Sequence, residues 1–301
     1  MSDLDSLLIN VTAELDKLDA NTSLFARHLP SKRQVSVRAS EPVDTLSVIK
    51  IPILILAFRD VEAGCLDLSE RYTIDADDVR NGSGILKLFT PGLQPTYGDI
   101  VTQMIVTSDN TATDIIIARV GFERINELLA ELGYIETRLQ HTLAAYFRSR
   151  WEVLDAANLE LSNWEVFERG FPRDEEAPER DFKFEGTPAR WLGRSTAEEM
   201  SRLLEQIQTG EVASKSCCDE MLSILKEQQS TSRLPQRIAH RVQIGHKTGD
   251  WGPLAGNDVG IMYADSGPIV VSLFVTQNRG DFAELEATHG RVAEMLLNAW
   301  A

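Results

Sequence analysis

Ser47 and Lys50 stand three residues apart at the start of an apolar run, Ile49 to Phe58. Three residues is nearly one helical turn, so both side chains leave a helix's first turn on the same side. A helix N-terminus carries unpaired backbone N–H groups and a partial positive charge, which suits a nucleophile building up negative charge. A lysine within reach accepts the serine's proton once its own pKa is lowered, and burial or a second cation lowers it. The pair reads as an acyl-accepting serine with a lysine base. Alone, such a short pattern more often marks a serine N-cap followed by a surface lysine. Two further triplets decide the matter: Ser108-Asp109-Asn110 and Lys247-Thr248-Gly249.

The elements around these residues follow from periodicity. Leu4, Leu7, Leu8, Val11, Leu15 and Leu18 recur at helical spacing over residues 3–19. Two strand-like segments follow, Thr22–His28 and Arg33–Arg38, joined by a turn at residues 29–32. A helix is expected from near Ser47 to Gly64, with Pro52 tolerated in its first turn. Helical runs are expected at Ile100–Thr107, Ala112–Arg119, Phe122–Leu132, Thr196–Gln208 and Asp219–Gln228. The tail returns to strands at Val242–His246, Asp258–Tyr263 and Ile269–Thr276, then a closing helix from Phe282 to Trp300. The sequence thus implies an α/β domain from residues 1–44 and 239–301, and a helical domain from 45–238. Residues 140–194 break the helical pattern with Trp151, Trp164, Trp191 and the charged run 173–181. A charged run is usually a solvated face. A long excursion of this kind often forms a lid or pocket wall.

Composition narrows the class. With 30 basic against 46 acidic residues the net charge is −16, which argues against nucleic acid and anionic membrane surfaces as partners. No run is long and apolar enough to span a membrane. The first residues lack a basic n-region and a small-residue cleavage site, so no signal peptide is read and a cytoplasmic protein is expected. Cys65, Cys217 and Cys218 form no C-x-x-C pair, so reduced, buried thiols are expected and no metal site is read.

S-x-x-K, S-D-N and K-T-G in that order resemble the signature of class A β-lactamases and penicillin-binding proteins. The resemblance extends over Ser47–Leu66, Gly82–Leu86, Met104–Gly121, Thr196–Leu204 and His246–Tyr263. It implies an α+β, β-lactamase/transpeptidase-like fold. An antiparallel sheet from the N- and C-terminal segments is flanked by helices, and an all-helical domain is inserted. It also implies roles. Ser47 attacks a carbonyl, Lys50 takes its proton, and Ser108 passes a proton to the leaving atom. Lys247 keeps the local field positive, and with Thr248 holds a substrate carboxylate. Asn110 offers its amide to the substrate, and Gly249 completes the substrate-binding triplet. The tetrahedral oxyanion falls to the N–H groups of Ser47 and Asp250. Asp109 is expected to brace its loop and do no chemistry.

One departure limits what carries over. In class A enzymes a loop glutamate activates the deacylating water. Counting along the family pattern, its place falls at about Leu143, and the E-x-x-L-N pattern is missing. Substitutes within 140–194 are Glu152, Glu160, Glu165 and His141, none with a local signature. The expected function is therefore a serine hydrolase forming an acyl-Ser47 intermediate with a small-molecule ester or amide, possibly cyclic, without a cofactor. The alternatives are a class A-type β-lactamase with a relocated base, or an acyl trap or sensor like a penicillin-binding protein.

Overall fold

The computed structural model describes residues 3–300. In chain order the elements begin with α1 (Asp3–Leu15), β1 (Asn21–His28), β2 (Gln34–Val37), β3 (Val43–Asp44) and α2 (Lys50–Glu62). Next come α3 (Tyr97–Val106), α4 (Asn110–Val120), α5 (Phe122–Glu131), β4 (Arg138–Leu139), α6 (Leu143–Glu152), α7 (Asn163–Arg169) and α8 (Ala177–Glu185). The chain closes with β5 (Gly193–Ser195), α9 (Ala197–Thr209), α10 (Lys215–Lys226), β6 (Gln243–Trp251), β7 (Ala255–Ala264), β8 (Gly267–Thr276) and α11 (Phe282–Trp300). Two compact units result, Met1–Val48 with Arg194–Ala301, and Ile49–Gly193.

The first unit is built on a five-stranded sheet in the order β2-β1-β8-β7-β6. All its pairings are antiparallel, with Leu24 opposite Leu273 and Thr248 opposite Asp258. Helices cover both faces, which explains why β7 and β8 are buried almost throughout instead of alternating. On one face Leu7, Val11 and Leu15 of α1 join Val292, Leu296 and Leu297 of α11 in a core with Leu24, Val271 and Leu273. On the other, α9 packs on β1 and β8, and α10 on β6. The hydroxyl of Ser201 donates to Ser272 Oγ at 2.8 Å there. Helices α9 and α10, grouped by the sequence with the helical part, thus lie on the sheet, and the unit boundary falls at 193/194 instead of 238/239.

In the second unit α2 is buried on nearly every side from Lys50 to Asp60 and packs against α3, α4 and α5. A helix apolar all round belongs in a core. Thr96 and Asp99 form a capping box that starts α3 earlier than the apolar pattern indicated. Residues 140–194 are structured, with α6, α7 and α8 around an aromatic cluster of Tyr146, Phe147, Phe171 and Phe184. Cys217 and Cys218 are buried, but Cys65 is exposed just beyond α2, contrary to expectation. No helix among the described residues is long and apolar enough to cross a membrane.

Candidate active site

In the first unit, Ser47 is carried by a 3₁₀ turn, Leu46–Ile49, that passes straight into α2. The α-helix therefore begins at Lys50, not at Ser47, and the three-residue turn keeps positions 47 and 50 on one side. Leu46 enters the turn with a left-handed φ of +47°, a conformation costly for a branched side chain unless its surroundings hold it. They do. The Leu46 N–H donates to Asp44 Oδ1 at 3.0 Å. Buried Asn257 on β7 donates from Nδ2 to the carbonyls of Asp44, at 2.9 Å, and Thr45, at 3.4 Å. Its Oδ1 accepts from the N–H of Val275 at 3.1 Å, so one amide ties β7, β8 and the turn together.

Strand β6 supplies Lys247, Thr248, Gly249 and Asp250 in succession. A Cβ at Gly249 would lie 2.6 Å from the Thr45 carbonyl oxygen and 3.2 Å from the Ser47 amide nitrogen. Only glycine lets β6 run this close to the nucleophile candidate's own N–H. Lys247 is fully buried and its Nζ donates to the Thr248 carbonyl at 2.7 Å. Burial pushes its ammonium down to about 8, against the pull of Asp250 and Asp258 and with the help of Arg233. Arg233 is itself 1 % exposed, ion-paired to Asp250 and donating to the Asn257 carbonyl at 2.9 Å.

In the second unit, Lys50 is fully buried. Its Nζ donates to the Ser108 carbonyl at 2.7 Å, to Ser108 Oγ at 3.2 Å and to Asn110 Oδ1 at 2.8 Å. Ser108 holds a left-handed φ of +55°, which turns its hydroxyl and carbonyl to the same cation. Asn110 is oriented from its other end, since its Nδ2 donates to the Asn81 carbonyl at 2.8 Å. Asp109 caps α4 by accepting from the Ala112 N–H at 3.0 Å, and accepts from the Leu86 N–H at 2.8 Å with its second oxygen. It therefore braces the loop, as expected. Asp114 does the same one turn on, paired with Arg80 at 2.6 Å and accepting from the N–H groups of Leu143 and Ala144.

Leu143 is buried at the start of α6. Three of the possible substitutes for a base have other partners. Glu165 forms a capping box with Ser162 at α7, and Glu152 pairs with Arg190 at 2.6 Å. His141 lies 3.1 Å from the Ala189 carbonyl, and Glu160 is exposed. The tryptophans have separate partners: Trp151 donates to the Gly170 carbonyl, Trp191 to that of Glu185, and Trp164 lies tilted against Phe167. Arg233 escaped the sequence reading because it sits in no recognisable motif, and Asn257, inside the matched stretch His246–Tyr263, because its bonds join segments far apart in the chain. Asp114 lay within a stretch that matched the family pattern, yet its capping of α6 depends on a helix the pattern did not reveal.

The antiparallel sheet with helices on both faces, the helical unit and the three triplets define a β-lactamase/transpeptidase-like α+β protein. The model of the beta-lactamase enzyme family matches residues 8–300, and the chain belongs to that family, among the β-lactamase-like serine hydrolases. Among solved structures, it resembles a β-lactamase from Sphaerobacter thermophilus at 24% identity, with 98% of this chain and 97% of the other covered and a TM-score of 0.78. The TLA-1 extended-spectrum β-lactamase superimposes with a TM-score of 0.79 at 15% identity, covering 99% of each chain. A leucine-to-glutamate variant of PBP-A, solved as its acyl-enzyme complex with penicillin G, gives 0.75 at 23% identity over 98% and 96% of the two chains. At these identities the likeness establishes the fold. No curated protein matches the chain.

Proposed function

We propose that this protein hydrolyses a small-molecule ester or amide, cyclic ones included, through an acyl-Ser47 intermediate, and turns β-lactams over poorly. The observation that carries this reading is the buried Lys50 ammonium gathered by Ser108 and Asn110. In its neutral form Lys50 takes the Ser47 proton as Oγ bonds to the carbonyl carbon. The oxyanion formed is received by the N–H groups of Ser47 and Asp250. As the bond to the leaving oxygen or nitrogen breaks, the proton returns to that atom from Lys50 by way of Ser108. Lys247 and Thr248 hold a substrate carboxylate and Asn110 a substrate amide.

The second half-reaction sets the substrate class. Water must displace Ser47 Oγ, and by the count along the family pattern the loop glutamate's place falls at about Leu143, which is apolar and buried. An acyl group from an ester with a good leaving group enters readily and leaves with Lys50 as the base. A bulky penicilloyl group blocks water and stays.

Intact-mass spectrometry with a penicillin, a cephalosporin and a panel of small esters, with product release followed in parallel, tests the reading. The expected result is a persistent penicilloyl adduct, absent in Ser47→Ala, alongside steady ester turnover. In Leu143→Glu the adduct's lifetime should shorten about a hundredfold, the lower end of what a placed general base contributes. Rapid penicillin hydrolysis by the natural protein without an adduct would overturn it in favour of a β-lactamase with a relocated base.

A further inference from the structure

A cleft of about 420 Å³ in the second unit is lined by Asn81, Gly82, Lys87, Arg169, Phe171 and Arg173 among others. Three of its lining residues are cationic and none is a carboxylate, in a chain where acidic residues outnumber basic ones 46 to 30. Other arginines of the segment hold carboxylates: Arg150 pairs with Asp181, Arg180 with Asp174 and Arg190 with Glu152. Arg169 and Arg173 hold none among the described residues. Arg169 reaches Asn158 Oδ1 at 3.3 Å and lies over the Trp151 ring, while the nearby Glu165 carboxylate is bound into its capping box. Lys87 is half-buried and donates to the Gly82 carbonyl. Burial lowers its pKa, with Asp109 pulling the other way, so it gains from an added anion.

The cleft shares a wall with the candidate site. Asn81 accepts from Asn110 Nδ2, Ser83 Oγ donates to the Ser108 carbonyl at 2.8 Å, and the Asn110 N–H donates to the Ser83 carbonyl at 3.1 Å. We propose that this cleft binds a carboxylate on the acyl portion of the substrate, away from the bond cleaved, with Lys87, Arg169 and Arg173 as its cationic partners. Phe171 gives the intervening methylenes an apolar surface. The assignment rests on the serine-hydrolase reading for its meaning in catalysis, but the anion site stands on its own geometry.

Two p-nitrophenyl esters of equal chain length, the monoester of glutaric acid and the ester of valeric acid, test it. Each acylates Ser47 with release of p-nitrophenol, and the quantity read is the ratio of their kcat/KM values. The natural protein should favour the carboxylated ester about tenfold or more, as expected of charge-assisted hydrogen bonds. Arg173→Ala and Lys87→Met should each cut that ratio several-fold, and Arg173→Lys should keep most of it. A ratio at or below one, or one that neither variant moves, overturns the proposal. If neither ester acylates Ser47, the serine-hydrolase reading fails, and the cleft is judged by calorimetric titration of Ser47→Ala with glutarate and inorganic phosphate. Saturable glutarate binding weakened by Arg173→Ala supports the site. No saturation at tens of millimolar, or tighter binding of phosphate than glutarate, overturns the carboxylate assignment.

Discussion

The Ser108–Asp114 stretch with Lys50 and the segment 140–193 belong to one unit, yet are held together by different means. In the first, polar groups are buried and bonded atom to atom: Lys50 to Ser108 and Asn110, Asp109 to two backbone N–H groups, Asp114 to Arg80 and two more. In the second, aromatic rings make the core, and ion pairs such as Arg180–Asp174 stand partly in water. A buried polar group is costly unless its partner is in place, so the first network specifies residue types and spacing. A solvated ion pair contributes little, and many sequences could supply one. The contrast predicts where substitutions will hurt.

The largest effect belongs to Gly84. Its φ of +106° is hostile to branched side chains, and a Cβ there would overlap both the carboxyl and the Cα of Asp109. Gly84→Val should cost about 4 kcal/mol or more and be seen as loss of the cooperative thermal transition. Asp109→Ala should come next. It removes a helix cap and strands the Leu86 N–H indoors, about 2–4 kcal/mol together. Denaturant unfolding measures it, and a loss under about 1 kcal/mol would mean the network is less specific than its bonds indicate.

The same contrast explains what was legible. The triplets could be read because their order resembles a family signature, and buried bonding such as that of Lys50 and Asp109 is what holds the residues of two of them to type and spacing. The helix of Ser47 was legible in position but not in form. The 3₁₀ turn depends on Leu46 being held by Asp44 and by Asn257, more than two hundred residues along the chain, which no local pattern encodes. Helices α9 and α10 were found by their apolar periodicity, but a stripe does not name its partner, and theirs is the sheet. Helix α6 was missed although Thr142 caps it locally, and part of its start, the N–H groups of Leu143 and Ala144, is held by Asp114 of another element. Arg169 and Arg173, which hold no carboxylate among the described residues, lie just before and at the start of the charged run, where only the structure separates them from the ion-paired arginines.

Lys247 carries the comparison into the first unit. Its pKa falls from 10.5 to about 8 on burial, so its charged form is disfavoured in the folded state. Between those values the unfolded chain binds a proton that the folded one does not, and this group's contribution to stability rises with pH across that window, by about 3 kcal/mol at most. Below pH 8 both states are protonated and the cost of burying the charge is present in full. Lys247→Met should flatten that rise, as measured by denaturant unfolding at pH 7, 8.5 and 10. In the proposed mechanism KM for a carboxylate-bearing β-lactam should increase above about pH 8, where the ammonium that holds it is lost.

Glu165 should give the smallest effect, and its smallness is informative. It is exposed, and its carboxylate accepts from the Ser162 N–H and hydroxyl at 2.8 Å, so it is held below the ordinary carboxylate range by those hydrogen bonds. A carboxylate bound this way is a poor proton acceptor and lies in a seven-residue helix that only needs capping. Glu165→Ala should lower the melting temperature by no more than a few degrees and leave the decay of the penicilloyl adduct as slow as before. If instead the adduct became more persistent, Glu165 would be assisting deacylation, and segment 140–194 would be part of the chemistry instead of a solvated surround. That result would also remove the ground for reading Leu143 as the cause of slow release, because a working base would already be present.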